Sequence, residues 1–292
     1  MNVADCLCFA NDCKAWWGVL KGFVSEEGER RFEMFEKMVP VNKERHGGKY
    51  IKVSGDFKFA APFHLTYLTV QEFVRAASTY PIVFLEDASQ DGFRPVALLG
   101  LEAGKNLFVD EAGAWDANYI PAIVRRYPFA LAPSNEQDRY LVCVDEASGM
   151  LSEDDGVALF DDKGEPSQVM ENVKRYLSEL QQMDESTRSF TRFLQENNLL
   201  TPLSMRVNAS DQVRNITGCY VVNEERLNNY AGEKFLEVRD LHYLPAIYAH
   251  LISLAQIERL AKRKDGRAPA ESHAPAAAEE PAVAVKGSET LQ

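Results

Sequence analysis

The chain has 292 residues, of which 46% are hydrophobic and 26% charged, a composition typical of a folded globular protein. Its formal net charge of -12 would repel a phosphate backbone, which excludes nucleic acid and anionic membrane surfaces as expected partners. Its apolar runs are only a few residues long, against the roughly 20 residues that a membrane-spanning helix needs, and no secretory signal opens the chain. We therefore expect a cytoplasmic protein with no membrane span.

Residues 1–37 differ in character from the rest of the chain, because they combine cysteines, tryptophans and a charged run without a clear period. One hypothesis is that Met38 is the natural start and that the preceding residues are an extension foreign to the native protein. The alternative is an amphipathic helix over residues 25–37 that docks on the body through Phe32 and Phe35.

The five cysteines fall into two groups. Cys143 and Cys219 lie in apolar, strand-like segments, where buried reduced thiols are expected. The other three, Cys6, Cys8 and Cys13, have no fourth ligand nearby, so we do not expect a metal site there.

The pattern becomes regular from Tyr50 onwards. Apolar and polar residues alternate over residues 50–61 on both sides of the Gly55-Asp56 turn, which predicts a hairpin. Residues 70–79 have helical spacing with Phe73, Val74 and Ala77 on one face, and Pro81 ends this helix.

A helix followed by a two-stranded hairpin then recurs three times. The hairpins join residues 82–86 to 94–104, 129–132 to 139–149 and 199–207 to 213–225. Each second strand runs into acidic residues, namely Glu102, Asp145-Glu146 and Glu224-Glu225. The repeat predicts a single α+β domain over residues 38–264, in which helices cover one face of a mainly antiparallel sheet.

Two further helical segments complete the predicted domain. Residues 167–194 carry an apolar stripe in steps of four and three after the N-cap residue Ser167, which predicts one long amphipathic helix or two helices broken near Asp184. We expect this stripe to cover the chain's own sheet rather than a coiled-coil partner. Residues 243–263 predict a closing helix, and residues 265–292, rich in Ala, Pro and Glu, predict a disordered tail.

Familiar catalytic and cofactor motifs are absent from the sequence. It contains no phosphate-binding loop, no dinucleotide fingerprint, no nucleophile elbow and no His-Glu-x-x-His helix. The five histidines are scattered and none has a carboxylate two residues after it, as a His-x-Asp/Glu metal motif would, so we expect neither a metal nor a cofactor.

The densest group of candidate site residues lies in residues 104–133. Trp115, Tyr119, Arg125 and Arg126 belong to the residue types that dominate binding hot spots. Consecutive helical residues point about 100° apart, so the two arginines cannot both lie on the buried face. We predict that one of them lines a surface cleft with Trp115 or Tyr119 and meets an acidic strand exit or an external anion.

Each candidate also has a purely structural interpretation. One arginine would pair with Asp145 while the other faces water, and Trp115 would pack over its neighbours. His250, inside an apolar helix, would be a buried histidine with its hydrogen bonds satisfied rather than a base, and Asp145-Glu146 would form a turn.

Several longer segments resemble the bacterial SapC family. They include VPVNKERHGGKYIKV, EFVRAASTYPIVF, ALLGLEAGKNLFVDEAGAWDANYIPAIVRRYPFALA, VCVDEASGML, GVALFDDKGEPS and IYAHLISLAQIERL, which together cover roughly Met38 to Arg263. The family name implies a link to surface-layer systems and serum resistance. The label of peptide transport permease has also been attached to such chains, but the hydropathy of this sequence is incompatible with it. The resemblance implies no catalytic residues.

Two functions remain as hypotheses. The first is a non-catalytic accessory or binding protein of a bacterial surface-layer or peptide-related pathway, with a protein or peptide partner. The second is an enzyme without a familiar motif, in which Arg125 or Arg126 holds an anionic substrate and Asp145, Glu146 or His250 acts as the base.

Overall fold

A computed structural model describes residues 34–52, 55–87, 91–134, 140–209 and 212–264. The first 33 residues and the tail from residue 265 lie outside this part of the chain, so the domain boundaries proposed there stay predictions. The described residues form helices and antiparallel sheets, which confirms the predicted α+β fold class. Among them, no helix combines the length and the apolar content that crossing a bilayer requires.

Five strands form the main sheet. They are β3 (Leu65–Tyr67), β4 (Ile82–Asp87), β5 (Gly92–Leu98), β10 (Leu200–Ala209) and β11 (Gln212–Val222). Their order is β10-β11-β4-β5-β3 and every pairing is antiparallel. The first and third predicted hairpins are confirmed, and the pairing of Tyr220 with Phe84 joins them into one sheet.

The second predicted hairpin forms but belongs to a different sheet. Strands β6 (Phe129–Pro133) and β7 (Tyr140–Asp145) pair with each other, and β1 (Met38–Pro40) pairs with the other side of β7. The three helix and hairpin units therefore do not build one continuous sheet. A small third sheet contains β2 (Tyr50–Ile51), β8 (Leu151–Ser152) and β9 (Val157–Ala158).

The predicted hairpin over residues 50–61 is wrong. Strand β2 pairs with β8 and β9, not with the segment after it, and Lys58–Ala60 form a 3-10 turn. Phe57 packs edge-on against Trp115 and Phe59 stacks on Tyr127, so aromatic contacts rather than strand pairing fix this segment.

The helix predicted over residues 70–79 is shorter than expected. A 3-10 turn at Val70–Glu72 leads into α2 (Phe73–Ala76), which comes after the earlier short helix α1 (Lys43–His46). Phe73 is buried as predicted, but Val74 is 64% exposed and does not belong to the inner face.

One continuous helix spans the segment for which one or two helices were predicted. Helix α4 covers Gln168–Glu196, and the side chain of Ser167 caps it by accepting the Met170 N–H. It comes after the short helix α3 (Ala122–Arg125) in the chain. The stripe of α4 packs on the protein's own sheets, as predicted, with Phe190 and Leu194 fully buried.

The predicted closing helix over residues 243–263 is in fact two helices. After α5 (Glu224–Asn228) and α6 (Gly232–Asp240) come α7 (Leu244–Ser253) and α8 (Gln256–Lys264). At the junction the main chain tightens, because the N–H groups of Leu254 and Ala255 donate to the carbonyls three residues before them, those of Leu251 and Ile252, at 3.3 and 3.2 Å.

Two apolar clusters form the core. The larger lies between the main sheet and the helices that cover it, and includes Phe73, Phe84 and Phe190. The smaller lies under the second sheet and includes Val144 and Met170. Helix α4 contributes to both, so it joins the two halves of the fold.

The two cysteines predicted to be buried thiols are confirmed as such. Cys143 lies on β7 and Cys219 on β11, and both are buried in the reduced form. Burial raises the pKa of the Cys219 thiol to about 11, so it stays protonated at neutral pH.

Candidate functional site

The structure does not bring the predicted site residues to one point. Trp115 is turned inward, Tyr119 and Arg125 lie together, Arg126 lies beside the N-terminal segment, and Asp145 and His250 are each buried at separate contacts. Each position has its own geometry.

Trp115 lies at an isolated bridge with Val109. Its indole N–H donates to the hydroxyl of Tyr80 at 2.9 Å, and that hydroxyl donates to the Tyr119 carbonyl. The ring of Phe57 meets it edge-on at 5.6 Å. These contacts use the polar group of Trp115 inside the protein and match the structural interpretation in which it packs over its neighbours.

Tyr119 is held by a buried carboxylate that the sequence analysis did not select. Its hydroxyl donates to Glu72 at 2.6 Å, and the Ala122 N–H donates to the same oxygen at 2.7 Å. The other oxygen of Glu72 accepts from the N–H and the hydroxyl of Thr69. Burial, together with the hydrogen bond to Glu72, raises the pKa of Tyr119 well above its usual range.

Arg125 is exposed, yet it is held in a defined position. Its Nε donates to the Ile120 carbonyl at 3.0 Å, and its guanidinium lies 5.8 Å from the ring centre of Tyr119 and 5.6 Å from that of Tyr176. Tyr176 is fixed in turn, because its hydroxyl donates to the Ala122 carbonyl at 2.8 Å. We call Tyr119, Arg125 and Tyr176 the Arg125 cluster.

Arg125 forms no ion pair with any described residue. The guanidinium is thus ordered by a carbonyl and two aromatic rings without a carboxylate bound directly to it. Such a group presents a charge and a donor fork to whatever meets it from outside.

Arg126 lies on the other side of the helix, as the 100° step predicts. Its guanidinium is 5.3 Å from the ring centre of Phe35. That ring stacks on Tyr127, which stacks in turn on Phe59 at 4.0 Å. Arg126 therefore helps to hold the segment that precedes β1.

Asp145 is fully buried and accepts hydrogen bonds from main-chain N–H groups. Its carboxylate accepts the N–H groups of Glu36 and Lys37, both at 2.9 Å, and that of Ala147 at 3.0 Å. The hydroxyl of Tyr127 lies at 3.5 Å. The expected pair between an arginine and Asp145 does not form, because main-chain groups occupy both of its oxygens.

Glu146, the residue after Asp145, is bound by two cationic side chains. Arg45 donates to it from Nε and Nη2 at 2.5 and 2.6 Å, and Lys37 lies at 2.9 Å. The hydrogen bond from Arg45, aided by Lys37, lowers the pKa of Glu146 to about 2. His46 is buried with Nε2 3.5 Å from Glu146, and its burial lowers its pKa.

His250 is fully buried, with both ring nitrogens bonded to main-chain groups. Nε2 accepts the Val222 N–H at 3.0 Å, which requires that Nδ1 carry the proton it donates to the Ile82 carbonyl at 2.9 Å. Burial lowers the pKa of His250 to about 4. The ring links β4 to β11, and neither nitrogen is left to take a proton from a substrate.

The family relationship rests on most of the chain. A family model described as SapC matches residues 41–260. The chain belongs to the SapC family. No curated protein and no solved structure matches it.

Every predicted site residue lies inside the SapC match. So do Glu72, Arg45 and His46, which the sequence analysis did not single out. The sequence does contain a local pattern that points to Glu72, because Thr69 and Glu72 have the spacing of a capping box. The pairing of Arg45 with Glu146 crosses about a hundred residues and leaves no local pattern.

The described residues were compared with the geometry that metal ions and small molecules require. Among the described residues, no group of three or more His, Cys, Asp or Glu side chains is placed to hold a metal ion. A shallow surface depression lined by Leu101, Lys105 and Lys264 contains none of the predicted site residues and encloses no space for a water-sized molecule.

Proposed function

We propose that this SapC-family protein is a non-catalytic accessory protein that binds a protein or peptide partner through the Arg125 cluster. The observation that carries the proposal is an exposed, positioned arginine without an ion pair among the described residues. The chain has 44 acidic residues against 32 basic ones, so an internal carboxylate would have been easy to supply.

The chemistry of the cluster points to a carboxylate on the partner. A guanidinium binds a carboxylate bidentately, and two rings that already hold it reduce the entropy lost on binding. Tyr119 and Tyr176 add contact area beside the charge. An acidic side chain or a free C-terminal carboxylate of a peptide meets these requirements.

We propose that this partner belongs to a surface-layer or peptide-related process and that the protein acts in the cytoplasm. The SapC family name favours a surface-layer or peptide-related process. The two buried free thiols, Cys143 and Cys219, favour action in the reducing cytoplasm.

The enzyme hypothesis, with an arginine clamp and an Asp145, Glu146 or His250 base, has weaker support. Asp145 and His250 already bond main-chain groups, and Glu146 has a pKa lowered to about 2 by its cations. A base needs a pKa nearer the working pH and room for a substrate proton.

The Arg125→Ala variant tests the binding proposal. The whole protein is applied to an array of peptides that carry internal acidic residues or a free C-terminus, alongside amidated and neutral versions. The variant should bind the acidic peptides roughly tenfold to a hundredfold more weakly, since a hydrogen bond to a charged group contributes about 1.5–3 kcal/mol.

Arg192→Ala is the matched control, because Arg192 is exposed on α4 and has no ion pair among the described residues. It should bind like the wild type, and both variants should unfold at the wild-type temperature. Acidic peptides retained equally by Arg125→Ala would rule out the cluster as the contact. Small-molecule turnover without any peptide or protein partner would favour the enzyme hypothesis instead.

A further inference from the structure

Residues 34–40, which we call the strap, lie on a part of the protein that is far more deeply buried than they are. No residue of the strap is itself buried. On β7, with which the strap pairs, Cys143, Val144 and Asp145 are at most 2% exposed. A segment that buries no side chain completely gains little from the hydrophobic effect, so specific contacts must hold it in place.

Main-chain groups of the strap make most of its polar contacts. The N–H groups of Glu36 and Lys37 donate to different oxygens of the Asp145 carboxylate, both at 2.9 Å. The Lys37 carbonyl accepts the Glu146 N–H at 3.0 Å, and from Met38 onwards the strap continues as β1 along the edge of β7. Proteins bind segments of other chains in the same way, by adding a strand to a sheet edge through main-chain hydrogen bonds.

Two side chains of the strap meet groups that suit their chemistry. The ring of Phe35 stacks on Tyr127 with the centres 5.8 Å apart, and the Arg126 guanidinium lies 5.3 Å from the centre of the Phe35 ring. The ammonium of Lys37 lies 2.9 Å from the carboxylate of Glu146. The site therefore distinguishes an aromatic residue and a lysine two positions later from other side chains. The strap site consists of Arg126, Tyr127, Asp145, Glu146 and the edge of β7.

The strap and the strap site differ in their relation to the SapC family. The family match covers residues 41–260, so the strap lies before it and every residue of the strap site lies inside it. The matched part thus contains a fully buried carboxylate, Asp145, two of whose donors come from outside the match. Burying a charge without hydrogen bonds is strongly unfavourable, so the site requires an occupant that supplies N–H groups.

We infer that the strap site is a peptide-binding site, which the chain's own strap fills and which accepts an equivalent segment of a partner protein. The segment that fits has an aromatic residue, a lysine two positions later and then a strand that pairs with β7. A strap tethered beside its site acts at an effective concentration on the order of millimolar, so it excludes a partner until it is displaced. This inference does not depend on the Arg125 cluster.

Fluorescence anisotropy with a labelled peptide of residues 34–40, blocked at both ends, tests the inference on the full chain. The double variant Phe35→Ala with Lys37→Glu removes both side-chain contacts of the strap. It should bind the peptide on the order of tenfold more tightly than the wild type, because the weakened strap no longer competes for the site. A peptide that carries the same two substitutions should bind at least tenfold more weakly than the unaltered peptide.

A third substitution in this double variant locates the binding. Arg126→Ala should weaken binding of the peptide by about twofold to fivefold, because it removes the cation that contacts the Phe35 ring. Arg192→Ala, which removes an exposed arginine from α4, is the matched control and should change nothing. The unfolding temperature of each protein shows whether it is folded, and Lys37→Glu alone gives a smaller effect in the same direction if the double variant is not.

Three results would overturn the inference. The first is a folded double variant that binds the peptide no more tightly than the wild type does. The second is equal binding of the altered and unaltered peptides, since the site would then not read the side chains of the strap. The third is binding that Arg126→Ala and Arg192→Ala affect equally, since the peptide would then bind elsewhere on the protein.

Discussion

Buried polar side chains in this protein bind main-chain groups of distant segments. Glu72 accepts from Thr69 and Ala122, Asp145 accepts from the segment before β1, and His250 bridges β4 and β11. A polar group buried without a partner costs about 1–3 kcal/mol, so each of these contacts fixes one arrangement of the chain.

His250 gives a prediction about stability and pH. His250→Leu removes the partners of the Val222 N–H and the Ile82 carbonyl, and should lower the free energy of unfolding at pH 7 by roughly 2–4 kcal/mol. The pKa of His250 is lowered from 6.5 to about 4 in the folded state. The unfolded chain therefore binds the proton more readily, and the stability that the neutral ring provides is complete above about pH 6.5 and lost as the pH falls towards 4.

Urea unfolding at a series of pH values measures both effects. The decline in stability between about pH 6.5 and 4 should be smaller in His250→Leu than in the wild type. Ile247→Val, a neighbouring buried change without a titrating group, should cost about 1 kcal/mol and keep the wild-type slope. An unchanged slope in His250→Leu would contradict the buried neutral histidine.

Among the elements, β1 and the residues just before it depend most on a distant contact. Phe35 stacks on Tyr127, the Glu36 and Lys37 N–H groups bind Asp145, and β1 pairs with β7. These contacts connect the end of the predicted extension to the body of the fold. They also give a physical test of the hypothesis that Met38 is the natural start.

Chains that begin at Met34 and at Met38 should differ in stability. The longer chain keeps both N–H groups that bind Asp145, whereas the shorter one leaves a fully buried carboxylate without two of its donors. We expect the shorter chain to be less stable by roughly 1–3 kcal/mol in chemical denaturation. Equal stability would indicate that the terminal ammonium of Met38 replaces the missing donors, and would favour Met38 as the start.

At the scale of the whole molecule, helix α4 determines whether the two apolar clusters act together. Its first half contributes Met170 and Leu177 to the smaller cluster, and its second half contributes Phe190 and Leu194 to the larger one. A helix held at both ends transmits the loss of either cluster to the other, because its main-chain hydrogen bonds run without a break between them.

The prediction is that both halves unfold together. Phe190→Ala should cost about 3–5 kcal/mol and Met170→Ala about 2–5 kcal/mol, since each opens a cavity in one cluster. In hydrogen exchange, either variant should reduce the protection of β4 and of β6 alike, whereas Arg192→Ala on the exposed side of α4 should change neither. Loss of protection confined to the sheet nearest the substitution would show that the halves unfold independently.

The sequence by itself determined the elements in which the burial of each residue shows in its own apolar or polar character. The apolar runs of β4 and β5 and the stripe of α4 reflect burial that acts locally, and the α+β class was inferred from the helix and hairpin units that such segments form. The divergence of Arg125 and Arg126 could be predicted from helix geometry alone.

Only the tertiary structure decided which distant residues meet. The separate sheet, in which β1 pairs with β7, and the aromatic packing that replaces a hairpin at Phe57 and Phe59 depend on partners far away in the chain. The same holds for the candidate site. The position of Arg125 depends on the ring of Tyr176, and the hydrogen bonds of Asp145 come from Glu36 and Lys37. Such contacts leave no period in the sequence, since a hydrogen bond or a stacked ring constrains two residues without constraining those between them.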